Sequence, residues 1–523
     1  MSVAKVLTAV WVVSLLVAGC QKREIPKGPQ APVAAPAAVA QPGSGIAWFA
    51  GGLEAAFARA GIEKKPVFLY WGAAWCPYCK DLKANVFSRP DFIEKSRLFV
   101  PVYLDGDDTG AQKAGEQFNI TGYPTVIVLR GDRTELARLG GGMDRTQYAQ
   151  VLDLVLSETR PANELLTAMA SGATTISPDD CRRLAFNAWN LDDGAMEDSR
   201  RLASGLQKAA QLCPANAHRE RARLTTIAAS AAAKDPAGPQ FKPLLQGVLD
   251  ILTDRELATA TADALQYLDA AFFTAAKKAD PGKMAELAQS WNGVMDAIAG
   301  DLRYTPGDRL AAINSKLVAL KALDPKGEIP AALVEDAKHR VDAALAERHD
   351  EYTRAGVVNA ALNTLDTLGD AQRAYEVAKG EVQTSQTPYY YMADLGAIAE
   401  ELGRKEEALS WFERAYRESK GQATRFQWGT NYINALVRLA PQDDPRIRKA
   451  AVEVLGELDG PDRLYKRTRM RLDRLDANLR KWNGGGVHAT TVAAIRKRMD
   501  GICGKMPAGD EAREACSGFL AKA

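Results

Sequence analysis

The chain has 523 residues, with Lys+Arg 67 against Asp+Glu 65 and a formal net charge of +2. That balance leaves no electrostatic footprint for nucleic acid or another polyanion. The length exceeds the roughly 250 to 300 residues at which a single core stops growing, so at least two domains are expected.

The chain opens with Lys5, the apolar run "VLTAVWVVSLLV" and "VAGC", a charge pattern and length that read as an export signal over residues 1–19. Val17-Ala18-Gly19-Cys20 resembles the bacterial lipobox, which implies cleavage before Cys20 and lipidation of its thiol. A plain secretory signal or an uncleaved anchor is the alternative. Residues 20–45, "CQKREIPKGPQAPVAAPAAVAQPGSG", are rich in Pro and Ala and poor in large apolar side chains, so they read as a tether. In polyproline II form such a tether extends at about 3.1 Å per residue. Lys22 and Arg23 beside the lipid read as solvated linker charge. In every version the rest of the chain lies outside the cytoplasm. The lipid reading places it in the periplasm, with Gln21 favouring the outer membrane over the inner membrane or a soluble state.

From Ile46 the texture changes. "GIAWFAGGLEAAFARAGIEKK" reads as an amphipathic helix, "PVFLYWG" as a buried strand, "CKDLKANVFSRPDFIEKS" as helices and "RLFVPVYLD" as a second strand. "GAQKAGEQFNI" reads as helical, "TVIVLRGD" and "TELARLGG" as a hairpin around Gly131-Asp132, and "DRTQYAQVLDLVLSET" as a closing helix. The predicted order, after an initial helix, is β-α-β-α-β-β-α over residues 46–160.

Beyond about residue 160 strand signals vanish and Ala- and Leu-rich amphipathic helices continue, broken at "DPAGPQ", "YTPGD" and "DPKGEIP". The expected division is a helical domain over 161–350 and a second over 351–523. In the second, Leu368-Gly369 and Leu402-Gly403 recur 34 residues apart, as do Ala374 and Ala408, which is the period of the tetratricopeptide repeat. Leu395-Gly396, Phe412 and Ala415 fall where that repeat places its packing residues, and "NYINALVRLAPQDDPRIRKAAVEVLGEL" reads as a further helix pair with drifted spacing.

The chemistry gathers at "WCPYC". Cys76 and Cys79 stand at a helix start directly after a buried strand. There, unpaired backbone N–H groups and the helix dipole are expected to lower a thiol below the free value of about 8.5. The two cysteines, the preceding Trp75, the turn Gly122-Tyr123-Pro124-Thr125 and the glycines 140–142 together resemble the thioredoxin superfamily across about residues 47–158. The variant looks most like the exported modules of the Dsb type. The resemblance implies an α/β thioredoxin fold and a thiol–disulfide oxidoreductase in which an exposed Cys76 attacks and a shielded Cys79 resolves. It also implies a cis Pro124 facing the cysteines, with Trp75, Tyr123 and Pro124 contacting an extended client strand. Tyr78 is read as a surface aromatic.

One departure is Tyr70, standing where many thioredoxins carry a buried Asp that moves the proton of the second thiol; water, Lys83 or another group is the candidate substitute. The Pro77-Tyr78 dipeptide, typical of glutaredoxins, implies a potential above thioredoxin's roughly −270 mV, nearer about −200 to −230 mV. Reductase, oxidase and isomerase all stay open. So does a helical-repeat scaffold carrying a weakly active or inactive thioredoxin-like module. The expected partners are protein thiol or disulfide clients, a membrane thiol reductase as electron donor, and the membrane through the lipid on Cys20.

A zinc reading of Cys76 and Cys79 lacks further ligands, because His218, His339, His349 and His488 all fall in the helical half. No cofactor or metal is expected. Setting Cys20 aside, six cysteines remain and allow fifteen pairings. Proximity suggests Cys76 with Cys79, Cys181 with Cys213 across an antiparallel helix pair, and Cys503 with Cys516, the last two as structural staples.

Overall fold

The computed structural model describes residues 45–120, 122–140, 145–156, 160–191, 198–265, 267–460 and 463–521. The signal, Cys20, nearly all of the tether and Gly141-Gly142 lie outside the described residues. The described residues cluster as one compact unit.

Four strands form the sheet: β1 (Val67–Gly72), β2 (Val100–Asp105), β3 (Thr125–Leu129) and β4 (Glu135–Gly140). Their order is β2-β1-β3-β4, with β1 parallel to β2 and antiparallel to β3, and β3 antiparallel to β4. Every residue of β1 is buried, as an inner strand covered on both faces requires. Its alternation sends Phe68 and Tyr70 to one face and Val67, Leu69 and Trp71 to the other. The second face is covered by α1 (Gly52–Glu63) and α4 (Thr109–Gln117). Against the first lie α2 (Pro77–Leu82), the π-turn Lys83–Phe87, α3 (Pro90–Ser96) and α5 (Arg145–Leu156).

The initial helix starts later than the sequence pattern predicts. Residues 45–50 are not helical, and Gly52 adopts φ 77°, which only glycine takes at little cost. The Phe49 N–H donates to the Pro101 carbonyl at 2.8 Å, so the segment runs beside β2. This drops Trp48 among Phe68, Tyr70, Phe87 and Tyr103.

The helical region shares cores with this module rather than hanging from it. The core on the Phe68 and Tyr70 face continues without a break into Leu165, Phe186, Trp189 and Leu206. A separate core joins Ala73, Trp75, Cys76 and Cys79 to Leu365, Met392, Phe426 and Leu436. The outer edge of β4 is also covered: the Arg138 N–H donates to Asn187 Oδ1 at 2.9 Å, and the Ala188 N–H donates to the Arg138 carbonyl at 2.8 Å.

Farther along, the helices Ala371–Thr384, Pro388–Glu401, Lys405–Glu418, Gln422–Leu439 and Asp444–Leu455 pack mainly on their sequence neighbours, whereas Glu351–Leu368 packs chiefly against Pro306–Leu323 and also against α2. The recurrence of glycine has a backbone cause, since Gly369 and Gly403 both sit at φ 73° just after a helix. Gly396 lets the Phe412 ring close on its Cα, where an added Cβ would meet three ring carbons at 2.9 Å.

Cys181 and Cys213 are disulfide-bonded with Cα atoms 5.7 Å apart, and Cys503 and Cys516 with Cα atoms 5.6 Å apart. The first bond does not staple a simple two-helix hairpin. The helix Ser199–Leu212, which Cys213 terminates, lies mainly against Ala162–Ala170 and His218–Ala232, and only lightly against Pro178–Phe186. No helix among the described residues is long and apolar enough to cross a membrane.

Candidate functional site: an enclosed Cys-Pro-Tyr-Cys helix

β1 ends at Gly72, and the chain then turns into α2 with Cys76 as its N-cap (φ −73°, ψ 118°) and Pro77 in its first turn. The thiol takes the place of the usual capping hydroxyl: Cys76 Sγ accepts the Cys79 N–H at 3.2 Å. Pro77 costs no hydrogen bond at this position. Both cysteines are unpaired, and the Tyr123-Pro124 peptide is cis. Pro124 itself is buried.

The expected exposed attacker is absent. Cys76 is only 3% exposed and Cys79 1%. The cause is the chain's own helical region, which lies over α2. Trp75 stacks on Tyr390 at 5.9 Å, meets Trp428 edge-on at 6.2 Å, and meets Tyr123 edge-on at 5.4 Å. Its indole N–H points to Asp107 Oδ2 at 3.1 Å and to Thr424 Oγ1 at 3.3 Å, while the Thr424 hydroxyl donates to Asp107. Lys80, buried on α2, reaches Glu351 at 3.3 Å and Thr387 at 3.5 Å. Tyr78 is 55% exposed, yet its hydroxyl accepts from Asn359 Nδ2 at 3.3 Å. The aromatic surface expected to meet a client is thus covered from within.

Enclosure reverses the expected electrostatics of the attacking thiol. Burial pushes Cys76 well above the usual thiol value and the neighbouring Cys79 adds to the rise, while the backbone N–H groups of Cys79 and Tyr78 pull the other way without prevailing. The helix start does favour a thiolate, as expected, but desolvation is the larger effect.

At the departure position, Tyr70 is fully buried, and its hydroxyl has no hydrogen-bond partner among the described residues. Burial raises it well above the usual phenol value, and Cys79 and Cys76 raise it further, so it cannot serve as a base near neutral pH. Lys83 lies 5.2 Å above the Tyr103 ring. Burial lowers its ammonium, against the pull of Cys79, Asp105 and Cys76. Lys83, one of the substitutes considered for the missing Asp, is therefore in electrostatic reach of both sulfurs. Among the described residues no group of three or more His, Cys, Asp or Glu side chains gathers to hold a metal ion.

The clasp residues Asp107, Tyr390, Thr424 and Trp428 have no counterpart among the residues that the sequence pattern singles out. One signal does exist: Tyr389, Tyr390 and Tyr391 are consecutive on a helix, so they cannot all face one core. Tyr389 and Tyr391 are buried, and Tyr390 turns to Trp75.

With this geometry in hand, the comparison with known families agrees with the strand order: residues 53–156 match the family described as a thioredoxin-like domain. The chain therefore carries a thioredoxin-like domain followed by a large all-helical region. A search of the curated proteins found no significant match.

Proposed function

We propose that this chain is a thiol–disulfide oxidoreductase of the periplasm, lipid-anchored through Cys20, whose helical region recruits protein clients and covers the redox pair until one engages. The Cys76 thiolate attacks one sulfur of a client disulfide, forming a Cys76–client bond and releasing the other client sulfur as a thiolate that takes up a proton. Cys79 then attacks the Cys76 sulfur and frees the second client thiol. The pair ends oxidised by two electrons, which a membrane thiol reductase returns; run backwards, the same steps make the chain an oxidase.

The observation that carries this reading is the arrangement of two unpaired thiols at the N-terminus of α2 beside the cis Tyr123-Pro124 peptide. Neighbour-on-neighbour packing of the helices from Ala371 to Leu455 supports a tetratricopeptide-like client surface.

A second reading, a helical scaffold with a docked and catalytically idle module, draws on the 3% exposure of Cys76. Reduction of a model protein disulfide separates the two. The oxidoreductase is expected to turn over above a Cys76→Ser, Cys79→Ser double variant, and no difference between them leaves only the scaffold. A Cys79→Ala variant is expected to accumulate mixed disulfides through Cys76, which would identify the client.

A further inference from the structure

Away from the cysteines, a cavity of about 250 Å³ opens between α4 and the helix Lys466–Trp482. Arg467, Arg471 and Arg474 line it from positions i, i+4 and i+7 of that helix, one face turned to the seam between the thioredoxin-like module and the helical region. Lys466 stands at the same end. Like charges so placed repel one another, yet they converge on one cavity, Arg474 exposed and Arg467 and Arg471 half-buried.

The carboxylate that lines the cavity is already engaged. Glu116 pairs with Arg469 and accepts the Lys466 backbone N–H at 3.3 Å. Among the described residues Arg467, Arg471 and Arg474 form no ion pair. Arg471 donates to the neutral amide oxygen of Gln427 at 2.6 Å. Burial lowers its guanidinium to about 10, and the charges of Arg467 and Arg474 add to the fall. Arg467 lies 4.5 Å over the Tyr123 ring, and its Nη1 is buried with no hydrogen-bond partner among the described residues. A buried guanidinium nitrogen without an acceptor calls for one.

We propose that this cavity is a binding site for a small multivalent oxyanion, a phosphate ester or a polycarboxylate. Guanidinium forks match the paired oxygens of either group. The volume exceeds what one inorganic phosphate fills, and the apolar side chains of Trp71, Ile120 and Met470 in the lining accept a short organic body. The site is distinct from the thiols but linked to them through Tyr123, which lies under Arg467, stacks on the lining residue Trp71 at 5.8 Å and meets Trp75 at 5.4 Å on the cysteine side.

Isothermal titration of the full chain with pyrophosphate and, separately, citrate, at fixed ionic strength, tests this. Saturable binding of one ligand per chain is expected in at least one arm, and the tighter arm distinguishes a phosphate from a carboxylate ligand. The thermal midpoint should rise with that ligand and not with chloride at equal ionic strength. Arg471→Gln should weaken binding at least tenfold. Arg474→Gln, at an exposed residue, should also weaken it while leaving the unliganded midpoint unchanged, so the test survives if Arg471→Gln misfolds. Absence of saturable binding in both arms, or unchanged affinity in both variants, overturns the proposal.

Discussion

At the scale of single residues, the clasp over α2 centres on a buried carboxylate. Burial raises Asp107 to about 6, with the nearby charge of Asp105 adding to the rise, while Thr424, Trp75 and Arg467 oppose it. In the unfolded chain an Asp loses its proton near 3.9. Between those two values the folded state binds more protons than the unfolded state, so this group's contribution to stability falls as pH rises from about 4 to 6. Asp107→Asn keeps an acceptor for the Trp75 indole but cannot ionise. It is expected to match the wild type near pH 4 and to exceed it at pH 7.5 by on the order of 2 kcal/mol, read from urea unfolding at a series of pH values. A variant equally less stable at both pH values would show that the ionised carboxylate belongs in the clasp. Cys76 follows the same logic of burial. In a Cys79→Ala background, Trp428→Ala should admit water to the sulfur and lower its pKa. The alkylation rate at pH 7 should then rise, by about tenfold if the pKa falls by one. An unchanged pH profile would place the cause of the raised pKa elsewhere than in the helical cover.

At the scale of elements, the close approach of the helical region to α2 depends on a glycine. Gly421 precedes the helix Gln422–Leu439 at φ 75°, and a Cβ there would collide with the Asp107 side chain. Gly421→Ala therefore combines left-handed backbone strain, about 1 kcal/mol or more, with a steric clash at the clasp. Faster labelling of Cys76 at constant secondary structure is the expected outcome, measured by mass spectrometry; labelling at the wild-type rate would mean that Asp107 yields without opening the cover.

These elements also show what the sequence makes legible. β1 and α2 can be read because their causes are local: an apolar run for the strand, then a cap and an N1 proline for the helix. The recurrence of Leu-Gly can be read because the same left-handed turn recurs at Gly369 and Gly403. The start of α1 departs from its pattern, since the apolar periodicity of residues 45–51 serves a strand-side segment anchored by Trp48. The clasp is illegible for a different reason. Trp75 and Thr424 are 349 positions apart, and no local pattern specifies which helix face will cover α2.

At the scale of the whole molecule, the thioredoxin-like domain is held on two sides by the region that follows it. Arg183 crosses back to the Leu154 carbonyl at 2.7 Å and the Arg160 carbonyl at 2.6 Å, while Asn187 and Ala188 cover the β4 edge. Together with the continuous core through Leu165, Phe186 and Leu206, this makes the helical region part of the folding unit of the sheet. A chain cut after residue 160 would bare an unpaired strand edge beside an apolar face, the combination that drives edge-to-edge association. The truncated chain is expected to sediment as oligomers, bind a hydrophobic dye and melt without a sharp transition, whereas the chain through residue 521 stays a discrete species with cooperative unfolding. A monomeric, cooperatively melting 45–160 fragment would show instead that the module is self-sufficient and the helical region a detachable cover. The distinction bears on access to Cys76. If the two regions fold as one, the thiols are reached through local opening around Tyr390, Thr424 and Trp428, and the rate of that opening rather than domain separation limits access to them.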